Sequence, residues 1–313
     1  MLVNTELEIC TVENFRESNY LAANKDVAEA VRSGGFASGF DHFQQYGHLE
    51  SRNQFITWLG SGIMQGPTTR KIFAEAITQR ENKNILEIGP LSRPLVTSDN
   101  CWYFDICDTE TLKAKARDAG LNEDMIPEID FVDKHGDLSS VDMKFDSIVS
   151  AHCIEHQPDL IRHLNQVSFL LKNVGSRYWV IVPDKRFCFD HFIPESNVIE
   201  VVNANVEEQR TPTKTDVLQH FAMTTHNDPS RHWVGDHGEI KSDLFSRLAA
   251  AERKYEDANG EYIDVHCWQF TPESFFKIIG GLYERSYIDF KCTKIFETDR
   301  NQSEFFAILE KVR

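Results

Sequence analysis

The sequence predicts an α/β fold: a doubly wound, mostly parallel sheet of seven strands whose last strand runs antiparallel. A small helical region precedes the sheet, and a long insertion follows its fifth strand. Three observations predict this. From residue 84 onward, short apolar runs alternate with segments of helical periodicity, as strand–crossover–strand units do. Near the C-terminus the pattern changes to two strand-like runs joined by a short polar link, the mark of an antiparallel pair. The 313 residues are 41% hydrophobic and 26% charged, enough apolar material for one large domain and a smaller attachment.

Each element can be placed in turn. Residues 1–55 hold three short stretches of helical spacing, 14–23, 26–32 and 40–46, broken by Gly34, Gly35, Gly39 and Gly47. Pieces of this length are not stable helices alone and must pack on something. A helix is predicted over 68–80. Asn84-Ile-Leu-Glu-Ile-Gly is a buried strand ending in a loop, and Cys101-Trp-Tyr-Phe-Asp a second strand, followed by a helix over 109–119. Ile129-Asp-Phe-Val is a third strand and Phe145-Asp-Ser-Ile-Val-Ser a fourth. An amphipathic helix over 158–171 leads to a fifth, Tyr178-Trp-Val-Ile-Val-Pro. The terminal pair covers 287–296 and 304–310. Residues 187–269, rich in His and Asp, form the insertion of a main domain spanning 56–313.

Several function classes are disfavoured. No apolar run approaches the roughly 20 residues that cross a bilayer. Met1-Leu-Val-Asn-Thr-Glu-Leu-Glu lacks the basic start of a signal peptide, so the expected location is cytoplasmic. The seven cysteines are scattered and never spaced C-x-x-C, which argues against a disulfide framework and against a structural zinc site. A net charge of −16, from 49 acids against 33 bases, repels a polyanion and makes nucleic acid a poor partner.

In an open parallel sheet, ligands bind beyond the carboxyl ends of the strands. The first strand ends in Glu87-Ile-Gly89-Pro90, where glycine permits a tight turn close to a ligand. The second ends in Asp105, 18 residues after Glu87, where an acid can bind a ribose diol. The segment Phe145-Asp-Ser-Ile-Val-Ser-Ala-His-Cys-Ile-Glu-His156, with Leu171-Lys-Asn-Val-Gly175, resembles the class I S-adenosylmethionine-dependent methyltransferases. So does the antiparallel end of the sheet, over roughly 84–185 plus the terminal strands. Pro183-Asp-Lys-Arg-Phe-Cys-Phe-Asp190 with Gly89-Pro-Leu-Ser-Arg-Pro94 looks like a bacterial subgroup found near polysaccharide and lipopolysaccharide genes. One departure is plain: the usual G-x-G-x-G loop keeps a single glycine, Gly89.

The resemblance implies a Rossmann-like fold and S-adenosyl-L-methionine as cofactor. Glu87, Ile88, Gly89 and Pro90 would line its methionine and ribose side. Asp105 would take both ribose hydroxyls, and Ile106 would pack on the adenine. Asp137 and Leu138 would edge that ring, while Ser150, Ala151 and His152 would close the site under the sulfonium. Tyr20-Leu-Ala-Ala-Asn-Lys-Asp-Val-Ala, Gly39-Phe-Asp-His-Phe-Gln-Gln-Tyr-Gly-His and Glu50-Ser-Arg52 resemble a small helical module that recurs beside bacterial glycosyltransferases and methyltransferases acting on surface polysaccharides. That implies a carbohydrate or glycan-precursor substrate and association with glycosyltransferases through residues 1–55.

Methyl transfer to a hydroxyl needs alignment and a base. His152, His156, Asp184, His226 and His232 are the candidates, histidine being the usual base at neutral pH. Two readings of the insertion's His and Asp stay open: a base beside a divalent cation, or polar surface and helix caps on a segment that only shapes the pocket. No H-x-x-x-H or H-x-H pair occurs there, so no preformed metal site is expected. Phe187, Phe189, Phe192, Trp233 and Trp268 would suit a sugar face or simply fill the core. The alternative function is a non-catalytic cofactor-fold protein that binds a glycan or partner enzyme. A nicotinamide oxidoreductase would need a G-x-G-x-x-G turn, which Gly89-Pro-Leu-Ser-Arg-Pro lacks.

Overall fold

The structure, a computed structural model, describes residues 7–12, 15–55, 63–80, 84–240 and 243–313. The start of the chain, on which the leader reading rests, and the boundary at residue 56 lie outside the described residues.

The N-terminal region is closed by a two-stranded antiparallel ribbon, β1 (Leu7–Ile9) with β2 (Asn53–Phe55). Between them lie α1 (Glu17–Ala23), α2 (Lys25–Arg32) and α3 (Gly39–His42), the last running into a π turn at Phe43–Gly47. These short helices share one small core of Cys10, Tyr20, Val27 and Phe43, packed with Phe15, Leu21 and Phe40. Gly47 is there because a Cβ would lie 2.0 Å from the Tyr20 hydroxyl. The Glu50-Ser-Arg52 string works as a clasp: Arg52 bridges Glu50 and Asp26 at 2.6 and 2.8 Å.

The rest of the chain builds the sheet. β3 (Met64–Gln65) and α4 (Arg70–Arg80) lead into β4 (Ile85–Ile88), β5 (Cys101–Asp105), α5 (Thr109–Asp118) and β6 (Phe131–Val132). β7 (Ser147–Ala151), α6 (Leu160–Leu170) and β8 (Arg177–Pro183) follow. The insertion carries α7 (Val198–Val206), α8 (Lys214–Met223), α9 (Pro229–His232) and α10 (Leu244–Ala258). α11 (Pro272–Glu284), β9 (Phe290–Phe296) and β10 (Glu304–Lys311) complete the chain. The strand order is β3-β9-β10-β8-β7-β4-β5-β6, and only β10 runs against its neighbours. The fold is therefore the Rossmann-like, doubly wound sheet with one antiparallel C-terminal strand that the sequence predicts. An eighth strand, β3, is added at the edge, where two residues suffice to pair with β9. The third predicted strand shrinks to two residues because the Asp130 carboxylate takes the Tyr103 N–H at 2.8 Å, a position where a ladder would otherwise continue.

Alternate residues of the buried strands face opposite layers. Ile148, Tyr178, Val180, Phe305 and Ala307 join the layer holding α6 and α11. Val149, Trp179, Ile181, Phe306 and Ile308 join Phe73 and Ile77 of α4 on the other face. The insertion leaves and returns at one place, since Asp184 bridges Phe270 in parallel register and the Lys185 N–H donates to Phe270 O at 2.9 Å.

Phe305 is fully buried at the centre of this sheet, edge-on to Phe275 at 5.6 Å. Phe305→Ala should lower unfolding free energy by about 3–5 kcal/mol in urea denaturation. A loss under about 1 kcal/mol would mean that the sheet centre is not packed as described.

Candidate functional site

The sheet order reverses between β4 and β7, which opens a crevice beyond their carboxyl ends. A cavity of about 360 Å³ lies there, lined among others by Ile88, Gly89, Asp105, Ile106, Leu138, His152 and His156. Gly89 turns the chain at φ +70°, a conformation that a side chain resists, and a Cβ there would come within 3.9 Å of Cys153. Asp105 is buried, with Oδ1 accepting from the Cys107 N–H at 3.1 Å, and burial pushes its carboxyl up.

Other residues expected in the site stand behind the wall. Glu87 is buried and accepts the Leu95 and Val96 N–H groups at 2.7 and 3.0 Å. It clamps the loop after Gly89 and is not among the residues lining this cavity; burial raises its carboxyl to about 7. Asp137 caps the turn Leu138–Ser140 and is held by Arg162 and Gln166. The Ser150 hydroxyl pairs with the Tyr178 hydroxyl at 2.7 Å under the sheet, and neither Pro90 nor Ala151 lines the cavity.

Part of the cavity's lining is ionisable. His152 follows β7 with φ 50°, an uncommon conformation for a residue with a side chain. Its Nε2 lies 2.7 Å from Glu304 Oε2, and Arg70 grips the same carboxylate through Nε and Nη2 at 2.8 and 2.7 Å. Burial alone would raise the Glu304 carboxyl, yet the Arg70 and His152 hydrogen bonds outweigh it and hold it down at about 2. An ionised Glu304 can only accept, so the neutral His152 ring carries its proton on Nε2 and its lone pair on Nδ1.

Beside it sits Glu155, fully buried, with neither carboxylate oxygen hydrogen-bonded among the described residues. His152 Nδ1, His156 Nε2 and His266 Nε2 lie 3.9, 3.6 and 3.8 Å from Glu155 Oε1. Asp264 Oδ1 faces His156 Nδ1 at 3.0 Å, and Asp190 Oδ2 holds His266 Nδ1 at 2.5 Å. Burial disfavours charge on His156, but Asp264 and Glu155 overcome it and raise its pKa. Two imidazoles turned toward a carboxylate without a donor, His266 held by Asp190 and His156 beside Asp264, are a donor set that could hold a divalent cation.

Three expected bases lie away from the cavity wall. Asp184 is buried and holds the Arg186 guanidinium and, at 2.6 Å, the Thr298 hydroxyl. His226 has both ring nitrogens engaged, Nε2 with Asp236 O at 2.9 Å and Nδ1 with the Asp228 N–H at 3.2 Å. His232 is buried against His191 and His237, and burial lowers the pKa of all three, His237 to about 4. Phe187 and Trp233 stack on each other, 4.0 Å between centroids, in a groove against Phe40 of the N-terminal region. Trp268 is buried and donates from Nε1 to Gln157 O at 2.6 Å. Sequence reasoning missed Glu304, Arg70, Asp264, Tyr262 and Arg210, the last three lining the cavity. Each reaches the site from a distant element, and no local motif marks it.

No family model matches the chain, and no curated protein matches it. Solved structures do. It is similar to an S-adenosylmethionine-dependent methyltransferase from Clostridium acetobutylicum at 10% identity and TM-score 0.39, covering 78% of this chain and 91% of that one. It is similar at 12% and 0.37 to the trans-methyltransferase CalH in complex with SAH, covering 78% of this chain and 55% of that one. A Rhodobacter sphaeroides protein described as a Zn-dependent alcohol dehydrogenase is similar at 12% and 0.41, with coverage of 79% and 91%. Likeness at this level speaks for neither substrate nor chemistry.

Glu304 supplies a pH test. Its carboxyl is held at about 2 against an ordinary value of 4.5, so its stabilisation is full above 4.5 and is lost as pH falls toward 2. Glu304→Gln should therefore lie below wild type in urea midpoint at pH 7, with the gap narrowing between pH 5 and pH 3. A gap that stays constant over that range contradicts the assignment.

Proposed function

We propose that this protein is an S-adenosylmethionine-dependent methyltransferase that methylates a hydroxyl, the acceptor being a carbohydrate or glycan precursor. One observation carries the reading: Gly89 and Asp105 line the same strand-end cavity as a histidine whose tautomer is set by Glu304 and Arg70. The cofactor supplies a methyl group on a sulfonium that is already activated. The chain's part is to align the acceptor and remove its proton.

The residues fit those tasks. Asp105 would accept ribose hydroxyls, and Ile106 and Leu138, which line the same cavity, would offer apolar edges for a purine. Nδ1 of His152 takes the acceptor proton, and Glu304 stabilises the resulting imidazolium through Nε2. Glu155, His156 and His266 would hold a divalent cation, which would lower the pKa of a nearby hydroxyl. Residues 1–55 serve as the attachment to a glycan-making partner, docked over the Phe187–Trp233 groove.

Calorimetry with S-adenosylhomocysteine tests the cofactor half. Asp105→Ala should weaken binding by about 100-fold while the circular dichroism spectrum stays unchanged, since a charged acceptor to two hydroxyls is lost. Unchanged affinity removes Asp105 from the site. Transfer of labelled methyl to glycan acceptors tests the rest: His152→Ala should slow turnover on the order of 100-fold with S-adenosylhomocysteine affinity kept. Full turnover in that variant would move the base elsewhere, and no transfer by wild type would leave a binding protein.

A further inference from the structure

The geometry points to a second metal site, for a zinc-class transition ion, formed by His191, His232 and His237 within the insertion. None of the three lines the cofactor cavity. One ring nitrogen from each lies within 4.8 Å of the other two.

Hydrogen bonding decides which nitrogens these are. His191 Nδ1 lies 2.9 Å from Arg186 O, and His232 Nε2 lies 3.1 Å from His226 O. A carbonyl can only accept, so both of those nitrogens carry protons. His191 Nε2 and His232 Nδ1 are therefore lone-pair donors. His232 Nδ1 faces His237 Nδ1 at 3.1 Å. The His191 and His237 rings lie parallel, 3.6 Å between centroids. One proton shared between His232 and His237 would satisfy that pair, and the stack on His237 holds His191 beside it. A cation serves all three.

Backbone carbonyls that fix the tautomer of ligating histidines are the usual outer support of a metal site. The donor set selects the metal. Three neutral imidazoles without a carboxylate suit zinc, cobalt or nickel and not magnesium or calcium, and three protein ligands leave a fourth position for water. The spacing, His232-x-x-x-x-His237 with His191 far upstream, explains why the sequence shows no preformed site.

An ion here would staple the turn after β8 to the turn after α9. The first of these also carries Asp190, which holds His266 beside Glu155. The ion thus braces one wall of the acceptor end without touching it.

Untagged, EDTA-stripped full-length protein carrying Glu155→Gln, which weakens the other candidate cation site, is titrated with cobalt(II). We expect visible d–d absorption of a four-coordinate ion, displaced by zinc, and a melting temperature that rises with zinc concentration. His191→Gln and His237→Gln, made separately in that background at half-buried positions, should each weaken cobalt binding at least about tenfold with circular dichroism kept. The proposal is overturned if the Glu155→Gln protein binds no cobalt at micromolar concentrations. It is equally overturned if both histidine variants keep its affinity and spectrum.

Discussion

A half-buried carboxylate at the first residue of β10 constrains much of this molecule. Glu304 accepts two hydrogen bonds from Arg70 and one from His152, so it joins the helix before the sheet, the last strand and the end of β7. A charge largely screened from water is costly unless it is matched in this way. The antiparallel register that places Glu304 opposite Pro183 is what brings it to the carboxyl ends of parallel strands. Were β10 parallel to β8, its first residue would lie at the opposite edge of the sheet. Chain direction and site chemistry are one constraint.

Around that point the cavity divides into two kinds of wall. The floor consists of strand ends and a glycine turn and is fixed by the core below it, where Glu87 holds the loop from underneath. The ionisable wall has another origin. The Cys267 and Trp268 N–H groups both donate to Glu155 O, at 2.8 and 3.1 Å, which carries the end of the insertion onto the turn after β7 and sets His266 beside Glu155. Three acids and three histidines converge there because two chain segments more than a hundred residues apart share one backbone carbonyl.

The legible part of this structure in the sequence was its local part. Strand ends, the Gly89 turn and Asp105 are signalled by residues within a few positions of one another, and all three reappear on the cavity or its floor. Periodicity placed the helices over 109–119 and 158–171 to within two residues of α5 and α6. What failed depends on long-range pairing. His152 and Glu304 are 152 residues apart, and nothing beside either predicts the other. His226 and His232 looked like bases because histidine at neutral pH suits the task. Whether a ring nitrogen is already spoken for by a carbonyl cannot be seen in composition. The same limit applies to Phe187 and Trp233, which stack on each other.

The insertion departs from the sheet at Asp184 and rejoins it at Phe270, two residues that pair with each other. To the rest of the sheet, those eighty-odd residues are therefore equivalent to a short closed loop. Loop closure costs little more as length grows, so such a segment can lengthen, shorten or be exchanged in evolution while β8 and α11 keep their places. A lineage carrying this scaffold can rewrite one cassette and leave the strand-end floor of the cavity as inherited.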